Sequence, residues 1–147
     1  VSTRSVIYDA IVAALNASTG INYVTKDLEP WWEWTPDRFP GVCAIDGDAA
    51  IERFAYPQPT QEDMEVKVEF EVRAYVKDYT GQSTTLNSNR AELIADIEKA
   101  LTQSTGIDDL VLDITPTDVQ TDKGTIENHS IAECTYTVKY LYNHLSP

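Results

Sequence analysis

Between Asp63 and Lys77 the chain reads DMEVKVEFEVRAYVK, with Met64, Val66, Val68, Phe70, Val72, Ala74 and Val76 at every second position. Glu65, Lys67, Glu69, Glu71, Arg73, Tyr75 and Lys77 fill the gaps. A period of two puts successive side chains on opposite faces of a strand, so this segment predicts a long strand (63–77) with one core face and one charged face. At about 3.3 Å per residue it extends roughly 40 Å or more, longer than a small globule needs. Part of it is expected to project beyond the body or to bend, and its charged face to lie free of any covering helix.

Helical periodicity appears on either side of this strand. A helix is predicted over 3–16, with Ser2 or Thr3 as cap and Val6, Ile7, Ala10, Ile11, Ala14 and Leu15 on one face. Gly20 in NASTG suits its exit. A second helix is predicted over 88–103, capped by Ser88 or Asn89, with Leu93, Ile94, Ile97, Ala100 and Leu101 as its buried stripe. The preceding TGQSTTLNSN reads as a flexible link, and Gly106 as the end of the helical segment.

Shorter β signals complete the pattern. INYVT (21–25) is rich in β-branched and aromatic residues. Residues 42–57 read as a hairpin whose turn is Asp46-Gly47. Strands are predicted over 110–115 and 130–142, with DKG (122–124) as a tight turn between them. The last strand places Ala132, Cys134, Tyr136, Val138, Tyr140 and Tyr142 on one side. Two helices cannot cover both faces of so many strands. The expected fold is therefore a single α+β domain over 1–147, with a mostly antiparallel sheet of about five to six strands and two main helices on one face. The other face is left to solvent or to a partner.

One segment follows neither period. LEPWWEWTPDRFPGV (28–42) lies in a loop predicted over 26–41, and it holds Trp31, Trp32 and Trp34, all 3 tryptophans of the chain, punctuated by Pro30, Pro36 and Pro40. Clustered tryptophans suit a sugar platform, a protein contact or a lid on the domain's own core. A proline-stiffened loop favours protein contact, where Trp and Tyr dominate binding energy. Trp31 and Trp32 are adjacent and cannot easily point the same way, so at least one ring is expected to pack inward and at least one to face a neighbour.

Composition changes this picture mainly through charge. The 24 acids against 11 bases give −13 over 147 residues, which argues against grip on nucleic acid or anionic membrane. No run approaches the 18 or more apolar residues of a membrane-spanning helix, and no signal peptide is expected ahead of the first helix. Cys43 and Cys134 have no metal-like spacing and fall at apolar strand positions, as buried reduced thiols do. His129 and His144, the 2 histidines, stand outside any catalytic motif, and no phosphate-binding glycine loop occurs. Asp46, Asp48 and Glu52 are spaced loosely like cation ligands but lack the ordered series of a calcium loop. No catalytic, metal or cofactor-binding residue is expected. The row Glu65, Lys67, Glu69, Glu71, Arg73 is either a solvated strand face or a salt-bridged face between subunits.

The order of these segments resembles a known family. A first helix VIYDAIVAAL, TGI, an FPGVCAI step into a strand, the long VKVEFEVRAYV strand, the helix AELIADIEKAL and a closing ECTYTVKYLY strand are similar in layout to the tail-terminator (tail-completion) proteins of long-tailed bacteriophages. The resemblance runs over nearly the whole chain, and WWEW departs from it. It implies a virion protein of the tail or neck, assembled in the host cytoplasm, that forms a homo-oligomeric ring, a hexamer, capping the tail tube and stopping its elongation. Its partners would be itself, the tail tube protein and the head connector or stopper, with DNA passing through an acidic lumen without specific binding. It implies no cofactor, no active site and no membrane. The interface residues expected on this reading are Trp31, Trp32, Trp34, Arg38 and Phe39 of the loop, with Glu65, Lys67, Glu69, Glu71, Arg73 and Tyr75 of the long strand. The alternatives are a carbohydrate- or ligand-binding module built on Trp31, Trp32 and Trp34, or another ring of the neck or tail (connector, stopper or tube subunit).

Overall fold

The computed structural model describes residues 3–53, 63–77, 83–123 and 128–143. The chain is a single α+β domain. A five-stranded sheet carries strands β1 (Tyr23–Thr25), β2 (Gly41–Arg53), β3 (Asp63–Lys77), β4 (Asp113–Thr121) and β5 (His129–Asn143) in the order β1-β2-β3-β5-β4. Helices α1 (Thr3–Asn16) and α2 (Ser83–Thr102) pack on one face, and a short helix α3 (Thr105–Asp108) follows α2. All pairings are antiparallel except β1 with β2.

β3 is the axis of the sheet. It pairs along its whole length with β5, from Asp63 opposite Asn143 to Lys77 opposite His129, and with β2 from Met64 to Tyr75. It does not run out alone. At its N-terminal end it continues past the pairings of β1 and β4 as the middle of three strands. Alternation does what the sequence predicts: Val66, Val68, Phe70, Val72, Ala74 and Val76 are buried against the helices, as are Ala132, Cys134, Tyr136, Val138 and Tyr140 of β5. The helices answer with Ile7, Ile11 and Leu15 from α1 and Leu93, Ile97 and Leu101 from α2. Val6 stays exposed, and Ile94 and Ala100 only flank the core.

Several boundaries differ from the sequence expectation for identifiable reasons. The hairpin over 42–57 does not form; β2 runs straight through Asp46-Gly47 as one strand, with a bulge between Asp46 and Ala49. A turn residue pair serves here as the extra residue of a bulge, and Gly47 is required because a Cβ there would lie 2.6 Å from the Glu69 carbonyl oxygen. Arg4 of α1 clamps the bulge from outside, donating from Nε to Asp46 Oδ1 at 2.9 Å and from Nη2 to the Gly47 carbonyl. Residues 54–57 of the expected hairpin lie outside the described residues.

α2 begins at Ser83, inside the stretch expected to be a flexible link, because Leu86 is buried and extends the Leu93 stripe by two turns. Ser88 and Asn89 are thus interior helix positions, not caps. Gly106 does not end the helical segment either: it sits within α3, where Ser104 Oγ accepts from the Ile107 N–H at 3.3 Å and Ile107 anchors in the core. The strand expected over 110–115 starts later and runs further, as β4. Pro116 is tolerated there because β4 is an edge strand and is bulged between Pro116 and Asp118. Of the expected 122–124 turn, Lys123 has φ 57°, and Gly124 lies outside the described residues. Ser2 as a cap also lies outside them.

Candidate functional site

The parallel pairing of β1 with β2 creates the site. Adjacent parallel strands need a returning connection of about a dozen residues or more, and here Lys26–Pro40 is that connection. It makes two short 3₁₀ turns, Trp31–Glu33 and Pro36–Arg38. Proline sets the backbone at the start of each, with Glu33 N donating to the Pro30 carbonyl at 2.9 Å and Arg38 N to the Thr35 carbonyl at 3.0 Å. The connection crosses the sheet face that the helices leave bare. Before entering β2 it passes a cis Phe39–Pro40 bond, and both carbonyls there are satisfied by Asn22: its side-chain amide donates to Phe39 O and its backbone N–H to Pro40 O, each at 2.8 Å.

A second apolar cluster forms beneath the loop from Trp34, Phe39, Cys43 and Tyr75, flanked by Tyr23, Trp31 and Ile131. Trp34 is its centre, only 5% exposed, edge-on to Tyr23 at 5.1 Å and to Tyr75 at 5.3 Å between ring centroids. Such edge-to-face pairs add to the area buried. Among the described residues its Nε1 meets no acceptor. Trp31 lies flat on Tyr75, 5.5 Å away and 16° from parallel, with His129 at its edge. Trp32 stands edge-on to Trp31 (5.6 Å, 85°) and remains 65% exposed. The inward and outward split expected of the three rings is therefore realised as Trp34 inward, Trp31 between and Trp32 outward. The rings share no plane, so they make no continuous stacking platform.

The loop's cations are turned toward the domain. Arg38 lies 4.6 Å over the Tyr23 ring and 4.0 Å from Glu29. Lys26 pairs with Asp9 of α1 and sits over the Tyr8 ring. Tyr23 donates to Glu29 Oε1 at 2.7 Å, and that bond is the first reason its phenol is held above the usual value. Burial does the same more strongly for Tyr75, pushed up to about 12. Burial also raises the Cys43 thiol. Cys43 and Cys134 are both free, on opposite faces of the sheet.

Beyond the loop, no helix among the described residues packs on the same face. Glu65, Lys67, Glu69, Glu71 and Arg73 line it on β3, facing Leu141, Lys139, Thr137, Thr135 and Glu133 of β5. Arg73 Nε donates to Glu71 Oε1 at 2.9 Å and stands 3.9 Å from Glu133, the Glu71 bond being the main reason its guanidinium is held above its ordinary value. Lys67 lies directly opposite Lys139. Threonines continue the surface onto β4, with Thr117 Oγ1 donating to the Thr135 carbonyl at 3.2 Å. Exposed pairs of this kind stabilise a fold little.

The structure thus divides the expected interface residues into two groups. Trp31, Trp34, Phe39 and Tyr75 are brought together as a packed cluster, with Arg38 beside it. Trp32 projects, and Glu65 to Arg73 form a separate polar field. Reasoning from sequence missed the partners Tyr23, Cys43, His129 and Ile131. A signal existed: Tyr75 and Ile131 are apolar positions at one end of mostly polar strand faces, and they pair with each other. It also missed a buried polar clamp at the same end of the sheet. There Arg90 Nη1 donates to Ser130 Oγ at 2.9 Å and to Asp122 Oδ1 at 3.2 Å, and Asp122 Oδ1 also accepts from Ser130 Oγ at 2.8 Å and the Ile131 N–H at 3.1 Å.

Among the described residues no three His, Cys, Asp or Glu side chains converge as a metal site, and no helix is long and apolar enough to cross a membrane. A groove of about 480 Å³ lies between the C-terminal ends of α1 and α2, floored by Ala14, Ala17 and Ala100.

No family model matches the chain, and no curated protein matches it. Among solved structures, a chain of the "Virion of native gene transfer agent (GTA) particle" is similar in fold, at 10% identity and a TM-score of 0.47, with 96% of each chain covered.

Proposed function

We propose that this chain is a virion structural protein: a ring-forming tail terminator that caps the tail tube, stops its elongation and offers the surface for head joining. It performs no chemistry of its own, and its acidity lets DNA pass without being held. The observation that carries this reading is the sheet face opposite the helices, where charges of both signs run from Glu65 to Arg73 on β3 and from Glu133 to Lys139 on β5. A surface with both signs interleaved can meet another copy of the chain without net repulsion even when the whole chain is strongly acidic. Side-by-side packing of such faces against a different patch of the next copy closes into a ring by rotation. The layout shared with tail terminators supports the same reading.

Sedimentation and negative-stain imaging of the purified chain test it. Closed rings that dissociate in Lys67→Glu/Lys139→Glu are the expected result. A monomer at every concentration sinks the proposal.

A further inference from the structure

We infer that the exposed crown of the tryptophan loop docks a partner protein of basic character with an apolar pocket, not a second copy of this chain. The inference rests on the reading above in treating the loop as a protein-contact surface, and it separates that contact from the one that closes the ring.

The loop carries two exposed large apolar side chains. Trp32 and Leu28 are 65% and 62% exposed, far more than the tryptophan and phenylalanine beneath them. An exposed tryptophan costs least to dock when it is already held, because little side-chain freedom is then lost. Trp32 is held in this way: its ring rests edge-on against Trp31, which is stacked on Tyr75 of the central strand.

The loop's exposed charge is mostly acidic. Asp27, Glu33 and Asp37 are exposed. The two bases of the segment are committed elsewhere, Lys26 to Asp9 and Arg38 to Tyr23 and Glu29. Thr35 holds the Asp37 carboxyl below its usual range. An apolar anchor in an acidic frame is complementary to an apolar pocket rimmed by lysine or arginine. It repels another copy at −13, because like charges facing across an interface are costly. The bare sheet face carries Lys67, Arg73 and Lys139 among its acids and has no such bias. The two surfaces therefore select different partners.

The test uses the full chain with fluorotryptophan at all three positions, read by fluorine NMR, with resonances assigned by single Trp→Phe variants. The probe is a synthetic amphipathic Lys/Leu helix, compared with the same peptide carrying Glu for Lys. The expected result is a shift of the Trp32 resonance with the basic peptide alone. Its affinity should fall about tenfold or more in Trp32→Ala and in Asp27→Asn/Glu33→Gln/Asp37→Asn, and should weaken as salt rises to about 0.3 M. Three results overturn the inference: a Trp32 resonance that stays still while the peptide binds, an equal response to the acidic peptide, or a Trp32 shift driven by protein concentration alone. Sedimentation on the same samples keeps the two claims apart. Rings with a silent Trp32 defeat only this inference, and a responsive Trp32 on a persistent monomer defeats only the ring.

Discussion

Gly41 and Trp34 are in contact that no other residue at position 41 permits. A Cβ on Gly41 would lie 2.6 Å from Trp34 Cζ3 and 2.4 Å from the Arg38 carbonyl oxygen. The first residue of β2 is glycine because the indole and the turn before it occupy the space a side chain would take. Gly41→Ala is expected to cost about 1–3 kcal/mol through overpacking. Urea denaturation followed by tryptophan fluorescence checks this, and a native emission maximum unchanged from the parent would show that Trp34 does not fill that space.

The three tryptophans separate by role. Trp34→Ala removes the centre of the second cluster and is expected to cost about 3–5 kcal/mol, whereas Trp32→Ala stays within about 0.5 kcal/mol of the parent. Thermal unfolding of the two variants distinguishes them, and equal losses would contradict the exposure of Trp32.

The clamp joining α2 to β5 is a largely buried ion pair with side-chain exposures of 15% for Arg90 and 8% for Asp122. Asp122→Ala leaves the Arg90 guanidinium, the Ser130 hydroxyl and the Ile131 N–H without their shared acceptor. Breaking one partner of such a pair costs about 3–5 kcal/mol. Hydrogen exchange should show the Ile131 amide losing protection first, and a variant as stable as the parent would place the pair at a surface.

Stability should fall in alkali. Tyr75 is held near 12 against an ordinary 10.0, and Cys134 near 11 against 9.0, both through burial. The folded state therefore keeps protons that the unfolded chain releases. This contribution is complete below about pH 9 and is lost as pH rises through about 9 to 12. Tyr75→Phe keeps the stack on Trp31 and removes the titrating group, so its alkaline slope should be shallower than the parent's. Identical slopes in urea melts over that range would remove Tyr75 as a contributor.

How much of this was readable from sequence follows from which forces are local. β3 and β5 announced themselves because alternation is enforced residue by residue, and their buried sides match the pattern. The first five residues of α2 are hard to read as helix because Ser83, Thr84, Thr85 and Asn87 have weak helical preference, and tertiary burial of Leu86 selects the helix there. Asp46-Gly47 reads as a turn in sequence because the same two residues suit a hairpin and a bulge; the choice is made by Arg4, which lies 42 residues away in sequence. In the tryptophan loop, the outward and inward rings could be anticipated from adjacency alone. Which ring went where depended on Gly41, Tyr23 and Tyr75, brought together only by the parallel pairing of β1 and β2. The Arg90–Asp122–Ser130 clamp had no local pattern at all.

The bulge in β2 has a consequence for how this chain can change length. Between Asp46 opposite Phe70 and Ala49 opposite Val68, β2 advances one residue more than β3. Because sidedness in a strand repeats every two residues, losing a single residue almost anywhere in β2 would turn the rest of it inside out. Losing the one surplus residue at the bulge would instead leave both halves facing as they do now. Asp46–Ala49 is the place where a descendant of this sequence can drop a residue from β2 and keep its core.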